Sequence, residues 1–248
     1  MTFVYNDLNQ PVGLPVPNWT PPPVPPPKVI EGRYCRLEPL EPARHAAALW
    51  EAFSLDKDGR DWTYLPHGPF PSLAEFRLWL EAAHQAAETP LSGGRCILFA
   101  IVVQPAEKPL GMASYCSITP PRGSIEVSGI HYANPLKKTR PATEAMYLMM
   151  RNVFELGYRR YEWKCDALNA ASRAAAQRLG FSYEGTFRQA LVYKGRNRDT
   201  TWYSVIDSEW PPLREVFEQW LDPANFNEQG RQIRLLSDMT APLLKQIG

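Results

Sequence analysis

A helix that opens on a proline directly behind three basic residues constrains this chain more than any other stretch. Pro141 suits the first position of a helix, because its ring fixes φ and its missing N–H is not needed there. Behind it, apolar residues recur at helical spacing on one face: Ala142, Ala145, Met146, Met149 and Val153. The sequence therefore predicts an amphipathic helix that begins at Pro141.

The basic residues ahead of that helix, Lys137, Lys138 and Arg140, have the wrong sign for a bare helix start. The helix dipole already concentrates about half a positive charge at this end, so three cations destabilise it unless an anion joins them. A phosphate would neutralise the cations and accept the free N–H groups of residues 142–144, although Glu144 adds a negative charge there. A solvated basic loop before an ordinary helix is the other interpretation, and both stay open here.

A second helix start follows forty residues later. Gly157 is a suitable stop for the first helix, and aromatic content with alternation predicts a strand at 161–166. Asn169 is a good N-cap for a short helix over 170–179, which Gly180 closes. The two starts thus each follow a predicted strand, the first of them at 124–132.

Short motifs mark both starts in a fixed order. They are Lys137-x-x-Arg140-x-Ala142, Thr143-Glu144-Ala145, Asn169-x-x-Ser172, Leu179-Gly180-Phe181 and Glu184-Gly185. This ordered set resembles the GNAT acetyltransferase superfamily, and more closely its Rim-type branch, whose best-known members acetylate N-termini of ribosomal proteins. The resemblance covers about residues 33 to 210 and is sharp from 134 to 210.

The resemblance implies an α/β (α+β) fold of the GNAT type. Its mixed, mostly antiparallel central sheet splays between the fourth and fifth strands and is flanked by helices, and the pantetheine arm of acetyl-CoA lies in the gap. The implied coenzyme-binding residues are Ile130, Tyr132, Lys137, Lys138, Thr139, Arg140, Ala142, Thr143, Asn169 and Ser172. Asn169 would hold the pantetheine arm, although helix capping alone explains an asparagine there.

Two positions depart from the family pattern. Arg140 replaces a glycine that lets the family backbone approach the pyrophosphate, although an arginine side chain can contact phosphate instead. Ala176 replaces a tyrosine that protonates the leaving thiolate in many members. Ser172, one turn earlier on the same face, takes that role by resemblance. Glu126, on the strand at 124–132, is the candidate base; an outward-facing strand glutamate is the alternative.

These motifs predict an acetyl-CoA-dependent N-acetyltransferase that acts on a primary amine, either a small molecule or a peptide or protein N-terminus. The amine would attack the thioester directly. A different class of function, a degenerate acyl-CoA-binding sensor or scaffold, is the alternative, and the two departures at Arg140 and Ala176 motivate it.

Composition narrows the remaining classes. The net charge of +1 gives no argument for nucleic-acid binding, and there is no apolar run of about 18 residues that would span a membrane. Histidines lack ligand spacing, so no metal is expected. Cysteines lack CxxC spacing, which predicts buried free thiols and a cytoplasmic location; they are Cys35, Cys96, Cys116 and Cys165.

The proline-rich start and the extent of the resemblance divide the chain into three parts: an arm at 1–30, the implied acetyltransferase domain at 31–210, and a C-terminal helical extension at 211–248. Nine of the 25 prolines lie within the first 27 residues, so the arm is expected to be extended, without helix or sheet. It would pack as a strap through Phe3, Tyr5 and Trp19, either on the body or on a second subunit. A homodimer is therefore an open possibility.

Two loops offer candidate acceptor residues. The loop at 55–71 contains Asp61, Trp62, Tyr64 and His67, which either line an acceptor pocket or pack on the core. The predicted hairpin turn at 194–199 carries Arg196 and Arg198, which either meet an acidic acceptor or a second subunit, or stay in solvent.

Overall fold

The computed structural model describes residues 3–88 and 96–248. Its strands are β1 (Phe3–Tyr5), β2 (Pro11–Gly13), β3 (Ile30–Glu31), β4 (Cys35–Pro39), β5 (Ile97–Val103), β6 (Lys108–Thr119), β7 (Ser124–Tyr132), β8 (Arg160–Asp166), β9 (Ser182–Tyr193) and β10 (Arg196–Ile206). Its α-helices are α1 (Pro42–Phe53), α2 (Leu73–Glu88), α3 (Arg140–Glu155), α4 (Ala170–Arg178), α5 (Trp210–Leu221) and α6 (Leu236–Thr240). Short 3₁₀ turns lie at Arg60–Trp62, Pro120–Arg122, Pro223–Asn225 and Ala241–Leu243.

Eight strands form one sheet in the order β3-β4-β5-β6-β7-β8-β10-β9. The pair β7–β8 is parallel, and all other neighbours in this sheet pair antiparallel. Pairing of β7 with β8 ends at Val127 opposite Trp163, and the strands diverge beyond that point. Counted from β4, these are the fourth and fifth strands, so the predicted splayed sheet is confirmed.

Helices cover both faces of the sheet, because its strands direct apolar side chains to each face. Tyr115 of β6 belongs to the main core together with α3, α4 and α5. Met112 of the same strand belongs to a second apolar cluster under α1 and α2. α3 and α4, which follow β7 and β8, therefore begin at the splayed end of the sheet.

The N-terminal arm contains a small two-stranded sheet, so the expectation that it forms no sheet is wrong. β1 and β2 form a small antiparallel hairpin, and its turn is built by the Asn6 side chain, which accepts the N–H groups of Leu8 and Gln10 at 3.0 and 2.9 Å. Pro11, the first residue of β2, is the one proline at a paired position of this hairpin, and a proline is tolerated at the start of a strand, so the prolines do not prevent pairing.

The proline run that follows the hairpin lies on the body. Pro22 and Pro25 are buried, and the Tyr158 hydroxyl donates to the Pro23 carbonyl at 3.1 Å. Phe3 and Tyr5, however, are 51% and 62% exposed. The contact with the body therefore runs through the prolines and through Trp19, whose ring lies beside Gly123, and not through Phe3 and Tyr5. The division of the chain into three parts stays a prediction.

The expectation of four free thiols is wrong for two of the cysteines. Cys96 and Cys116 form a disulfide, whereas Cys35 and Cys165 are free and buried. Ile97 lies opposite Tyr115 in the β5–β6 pair, so the residues beside them are cross-strand neighbours. Sequence spacing does not reveal that register, and the argument for a reducing compartment loses its basis. In the described ranges no helix is long and apolar enough to cross a membrane.

Candidate active site

A cavity of about 700 Å³ opens where β7 and β8 diverge. Its walls on this side are Glu126, Val127, Ser128, Gly129 and Ile130 of β7, Trp163, Lys164, Cys165 and Asp166 of β8, and Asn169 and Ser172 at the start of α4. Three of the sequence-predicted site residues, Glu126, Asn169 and Ser172, are thus brought to one cavity with Ile130.

The backbone of β7 is irregular where it borders the gap. Gly129 has a φ of +60°, and the Ser114 hydroxyl donates to the Ser128 carbonyl at 2.9 Å. A Cβ on Gly129 would lie 3.1 Å from that hydroxyl oxygen, so a side chain there would be both strained and crowded. From Ser128 onward this strand has no β8 partner, and its edge can serve an extended ligand.

Ile130 and Tyr132 were expected to offer backbone groups to the coenzyme. Ile130 lines the cavity. Tyr132 instead turns its side chain towards α3, where its hydroxyl donates to the Ala142 carbonyl at 3.2 Å. Tyr132 therefore joins the end of β7 to the first turn of α3.

Glu126 is a buried carboxylate that faces the cavity, which removes the outward-facing alternative. It is 8% exposed and accepts from the Ser117 hydroxyl at 2.8 Å and from the Lys164 ammonium at 2.7 Å. Lys164 also contacts Glu162 at 3.0 Å. The carboxylate is thus held in one position by an ion pair and a hydroxyl.

Ser172 lies opposite, and its surroundings orient its hydroxyl. The Trp163 indole N–H donates to the Ser172 oxygen at 3.0 Å, so the hydroxyl proton stays free for another acceptor. Asn169 accepts the Ser172 backbone N–H at 3.0 Å, which confirms the predicted N-cap. Ala176 is fully buried in the main core. A tyrosine at that position would have to displace the core.

The start of α3 is capped by Thr139, which accepts the Ala142 N–H at 3.4 Å and donates to the Leu136 carbonyl at 2.6 Å. Glu144 points away from this helix start. Its carboxylate accepts three backbone N–H groups, those of Arg33, Tyr34 and Cys35, at 2.6 to 2.8 Å. The Glu144 carboxylate is therefore engaged by the backbone before and at the start of β4.

The three basic residues before α3 separate in the structure. Lys137 forms an ion pair with Asp61 and donates to the Asn134 side chain at 2.8 Å. Lys138 is exposed and has a φ of +61°. Arg140 packs its guanidinium between the Tyr34 and Phe226 rings, at 4.9 and 4.3 Å. Stacking occupies the faces of a guanidinium and leaves its N–H edge available, so Arg140 and Lys138, but not Lys137, remain open to an anion.

A further cation near this helix start was missed in the sequence. Arg178, at the end of α4, donates to the Thr143 hydroxyl at 3.1 Å. Burial lowers the pKa of Arg178 below its ordinary value, and the described residues provide no carboxylate within ion-pair distance. Nothing in its local sequence distinguishes it from other basic residues at helix ends.

The far side of the cavity is closed by the loop at 55–71. Asp61, Tyr64 and His67 line it, whereas Trp62 packs into the second apolar cluster. The Tyr64 hydroxyl donates to the Leu168 carbonyl at 3.1 Å, and the Lys194 ammonium donates to the Trp62 carbonyl at 2.7 Å. The loop is therefore joined to the α4 start and to the β9–β10 hairpin across the cavity.

His67 is neutral at pH 7. Burial, assisted by the charge of Lys194, lowers the pKa of His67 to about 4, and its ring packs 4.2 Å from the Trp79 ring. The Cys96–Cys116 disulfide, Trp79 and Arg198 also line the cavity. Trp79 and the two cysteines were not recognised as site residues, because only tertiary packing brings them to this wall.

Comparison with known proteins agrees with this geometry. Residues 35–182 match the family model described as an acetyltransferase (GNAT) domain. The chain belongs to the GNAT family of acetyltransferases. A GCN5-related N-acetyltransferase from Brucella melitensis is 41% identical, with 91% of this chain and 100% of that chain covered and a TM-score of 0.85. A GNAT-family protein from Chromobacterium violaceum is 38% identical over 81% and 97% of the two chains, with a TM-score of 0.72.

The resemblance to the Rim-type branch rests on more distant structures. An acetyltransferase from Salmonella typhimurium, which modifies the N-terminal serine of the 50S ribosomal subunit protein L7/L12, is 22% identical over 72% and 99% of the two chains, with a TM-score of 0.59. Identity at this level speaks for the GNAT fold alone. None of the curated proteins compared with the chain matches it. The chain is an N-acetyltransferase by family, and the degenerate alternative is not favoured.

Proposed function

We propose that this GNAT protein transfers the acetyl group of acetyl-CoA to the nitrogen of a primary amine by direct attack. One observation carries the proposal: Glu126 of β7 and Ser172 of α4 line the same cavity at the point where the sheet opens. A proton acceptor and a proton donor on opposite walls match the two needs of the reaction, which are a neutral amine and a protonated leaving sulfur.

The residues around the gap fit the coenzyme. The unpaired edge of β7 at Ser128–Ile130 would hold the pantetheine arm. At the start of α3, Arg140 and Lys138 would bind the diphosphate together with Thr139, Ala142 and Thr143. Arg178 supports the same assignment, because it adds an unpaired cation beside Thr143. Acetyl-CoA, when bound, supplies the acetyl group as an activated thioester.

Glu126 accepts the proton that the amine nitrogen loses as its bond to the acetyl carbon forms, directly or through one water. Ser172 would donate its hydroxyl proton to the sulfur as the carbon–sulfur bond breaks and take a proton back from water, or would orient the sulfur for protonation by water. Backbone N–H groups of β7 near Ile130 polarise the carbonyl oxygen, a contribution of order 10²–10³ in rate for one donor. The products are an N-acetyl amine and the free thiol.

Release of free thiol tests the proposal directly. Incubation with acetyl-CoA and a broad panel of amines, N-terminal peptides included, is expected to release thiol with at least one amine. Glu126→Gln is expected to reduce that rate. If coenzyme binds tightly in calorimetry and no amine turns over, the acyl-CoA sensor becomes the better description. If the protein binds no coenzyme and turns over no amine, the proposal is wrong. A cytoplasmic location and a homodimer stay predictions from sequence.

A further inference from the structure

The cavity contains one cation that no carboxylate neutralises in the described part of the chain. Three cationic side chains line it. Arg60 binds Asp58, and Lys164 binds Glu126 and Glu162. Among the described residues, no carboxylate oxygen lies within ion-pair distance of Arg198.

Contacts with its own strand hold Arg198 in place. Its Nε–H donates to the Thr200 hydroxyl at 3.1 Å, and its guanidinium lies 5.7 Å from the centre of the Tyr193 ring. The Nη groups donate to no protein acceptor among the described residues. A half-buried guanidinium with a free, oriented N–H edge matches a carboxylate, which it can bind through two parallel hydrogen bonds.

The nearby carboxylates are already engaged. Asp61 pairs with Lys137. Asp166 accepts the Tyr193 hydroxyl and the Leu168 N–H, both at 2.8 Å. The carboxylates described near Arg198 are thus committed to other partners, which leaves its guanidinium open to an anion from outside the chain.

Arg198 lies at the covered end of the cavity. Its ring partner Tyr193 binds Asp166, Asp166 binds the Leu168 N–H, and the Leu168 carbonyl binds the Tyr64 hydroxyl of the covering loop. This chain of contacts connects Arg198 to the loop at 55–71. The cavity lining contains Arg198, Glu126 and Ser172 but no residue of α3 among those described, so the position suits the acceptor and not a diphosphate at the start of α3.

We infer that the acceptor is a small molecule carrying a carboxylate as well as its amine, as a free amino acid does, and that Arg198 binds the carboxylate. The inference rests on the proposed function, because it assigns the acceptor of that reaction. Glu126 then faces the amine while Arg198 holds the other end of the molecule. The bonds that tie the loop across the cavity favour a compact acceptor over a long peptide.

Matched acids and amides test this subsite. With the wild-type protein and acetyl-CoA, each common amino acid except proline, a secondary amine, and cysteine, which carries its own thiol, is compared with the corresponding carboxamide by thiol release. For the amino acids that turn over, kcat/KM is expected to exceed that of the carboxamide about 10- to 100-fold, as for loss of a charged hydrogen bond. Arg198→Gln is expected to bring this ratio close to one, chiefly by raising KM for the acid.

Two controls separate the subsite from a general loss of structure. Arg188→Gln removes an exposed arginine of β9 and is expected to keep the wild-type ratio. Arg198→Lys retains charge without the two-pronged donor and is expected to recover part of the preference. Coenzyme affinity by calorimetry is expected to be equal in wild type and Arg198→Gln, whose fold is checked by circular dichroism.

The outcomes distinguish the two proposals. Carboxamides that react as well as acids, peptides preferred over free amino acids, or an Arg198→Gln protein that loses coenzyme affinity would overturn the carboxylate subsite while acetyl transfer stands. Silence on every acid, amide and peptide would overturn the carboxylate subsite, and silence on the whole amine panel would overturn acetyl transfer to amines as well.

Discussion

At the scale of single residues, His131 is the most unusual side chain in the described structure. It lies on β7 between the Phe53 and Trp62 rings, at 4.1 and 4.0 Å. Both ring nitrogens are buried without a hydrogen-bond partner. Burial, with smaller effects from His67 and Lys137, lowers the pKa of His131 to about 3. Sequence alone treats the four histidines alike, because it does not reveal which one is enclosed.

Acid is therefore expected to weaken the fold through His131. An unfolded histidine has a pKa of about 6.5, so the unfolded chain binds more protons than the folded one between pH 6.5 and 3. The contribution to stability is complete above pH 6.5 and falls by about 1.4 kcal/mol per pH unit below it. Urea unfolding measures the free energy of unfolding at pH 7.5 and 5.0. Between these two values, wild type should lose about 2 kcal/mol more of that free energy than His131→Leu. Equal losses in both proteins would refute the assignment.

Ser172 is expected to act on the chemical step more than on binding. Ser172→Ala removes the hydroxyl donor and leaves the Trp163 N–H without its acceptor. We expect kcat to fall about 10²-fold with little change in KM for acetyl-CoA, and Ser172→Thr to recover part of the rate. Steady-state kinetics measures both quantities. A rise in KM with kcat unchanged would make the serine a binding residue only.

At the scale of secondary-structure elements, Glu144 links α3 to the β3–β4 turn. Its three N–H donors lie 109 to 111 residues earlier in the chain. The Thr143-Glu144-Ala145 motif was recognised in the sequence as part of a helix start. Its structural task could not be predicted, because no local pattern indicates a partner at that separation.

Removal of that carboxylate should destabilise the protein without changing the site directly. Glu144→Ala leaves three backbone N–H groups without their acceptor, and we expect a loss of about 3 kcal/mol in unfolding free energy, with Glu144→Gln between it and wild type. Chemical denaturation measures the difference. Glu155→Ala, on the same helix with an exposed carboxylate, serves as control and is expected to change stability by less than about 0.5 kcal/mol. Similar losses in both variants would contradict the role.

Local signals explain which elements were predictable. The strand predicted at 124–132 has the bounds of β7, and the predicted N-cap Asn169 accepts the Ser172 N–H at the start of α4. The turn predicted at 194–199 is shorter, with Lys194 and Gly195 at φ of +46° and +70° and β10 beginning at Arg196. Lysine is not a residue typical of positive φ, so the sequence did not indicate that the turn ends at Gly195. Arg198 was therefore predicted in the turn, whereas it lies on β10, at the border of the cavity.

At the scale of the whole molecule, the site combines parts that sequence treats separately. The family resemblance predicted the walls from β7, β8 and α4, because their motifs lie within one continuous stretch of the chain. The opposite wall comes from the loop at 55–71, the β9–β10 hairpin and the Cys96–Cys116 bond. These come together only through tertiary packing, which is why their contributions were open alternatives or were missed.

Coenzyme binding is expected to stabilise the whole chain, and the separation of the basic residues predicts which of them carries the effect. At a coenzyme concentration of 100 times Kd, binding adds about 2.7 kcal/mol, which corresponds to a rise in Tm of about 5–10 °C for a protein of this size. Arg140→Ala is expected to lose part of that rise, because its guanidinium edge is free at the start of α3. Lys137→Gln is expected to lower the Tm of the free protein but to keep the rise, because Lys137 is committed to Asp61. Thermal unfolding of the three proteins with and without coenzyme measures both effects. A full rise in Arg140→Ala, or loss of the rise in Lys137→Gln alone, would show that the diphosphate is bound by a different set of groups.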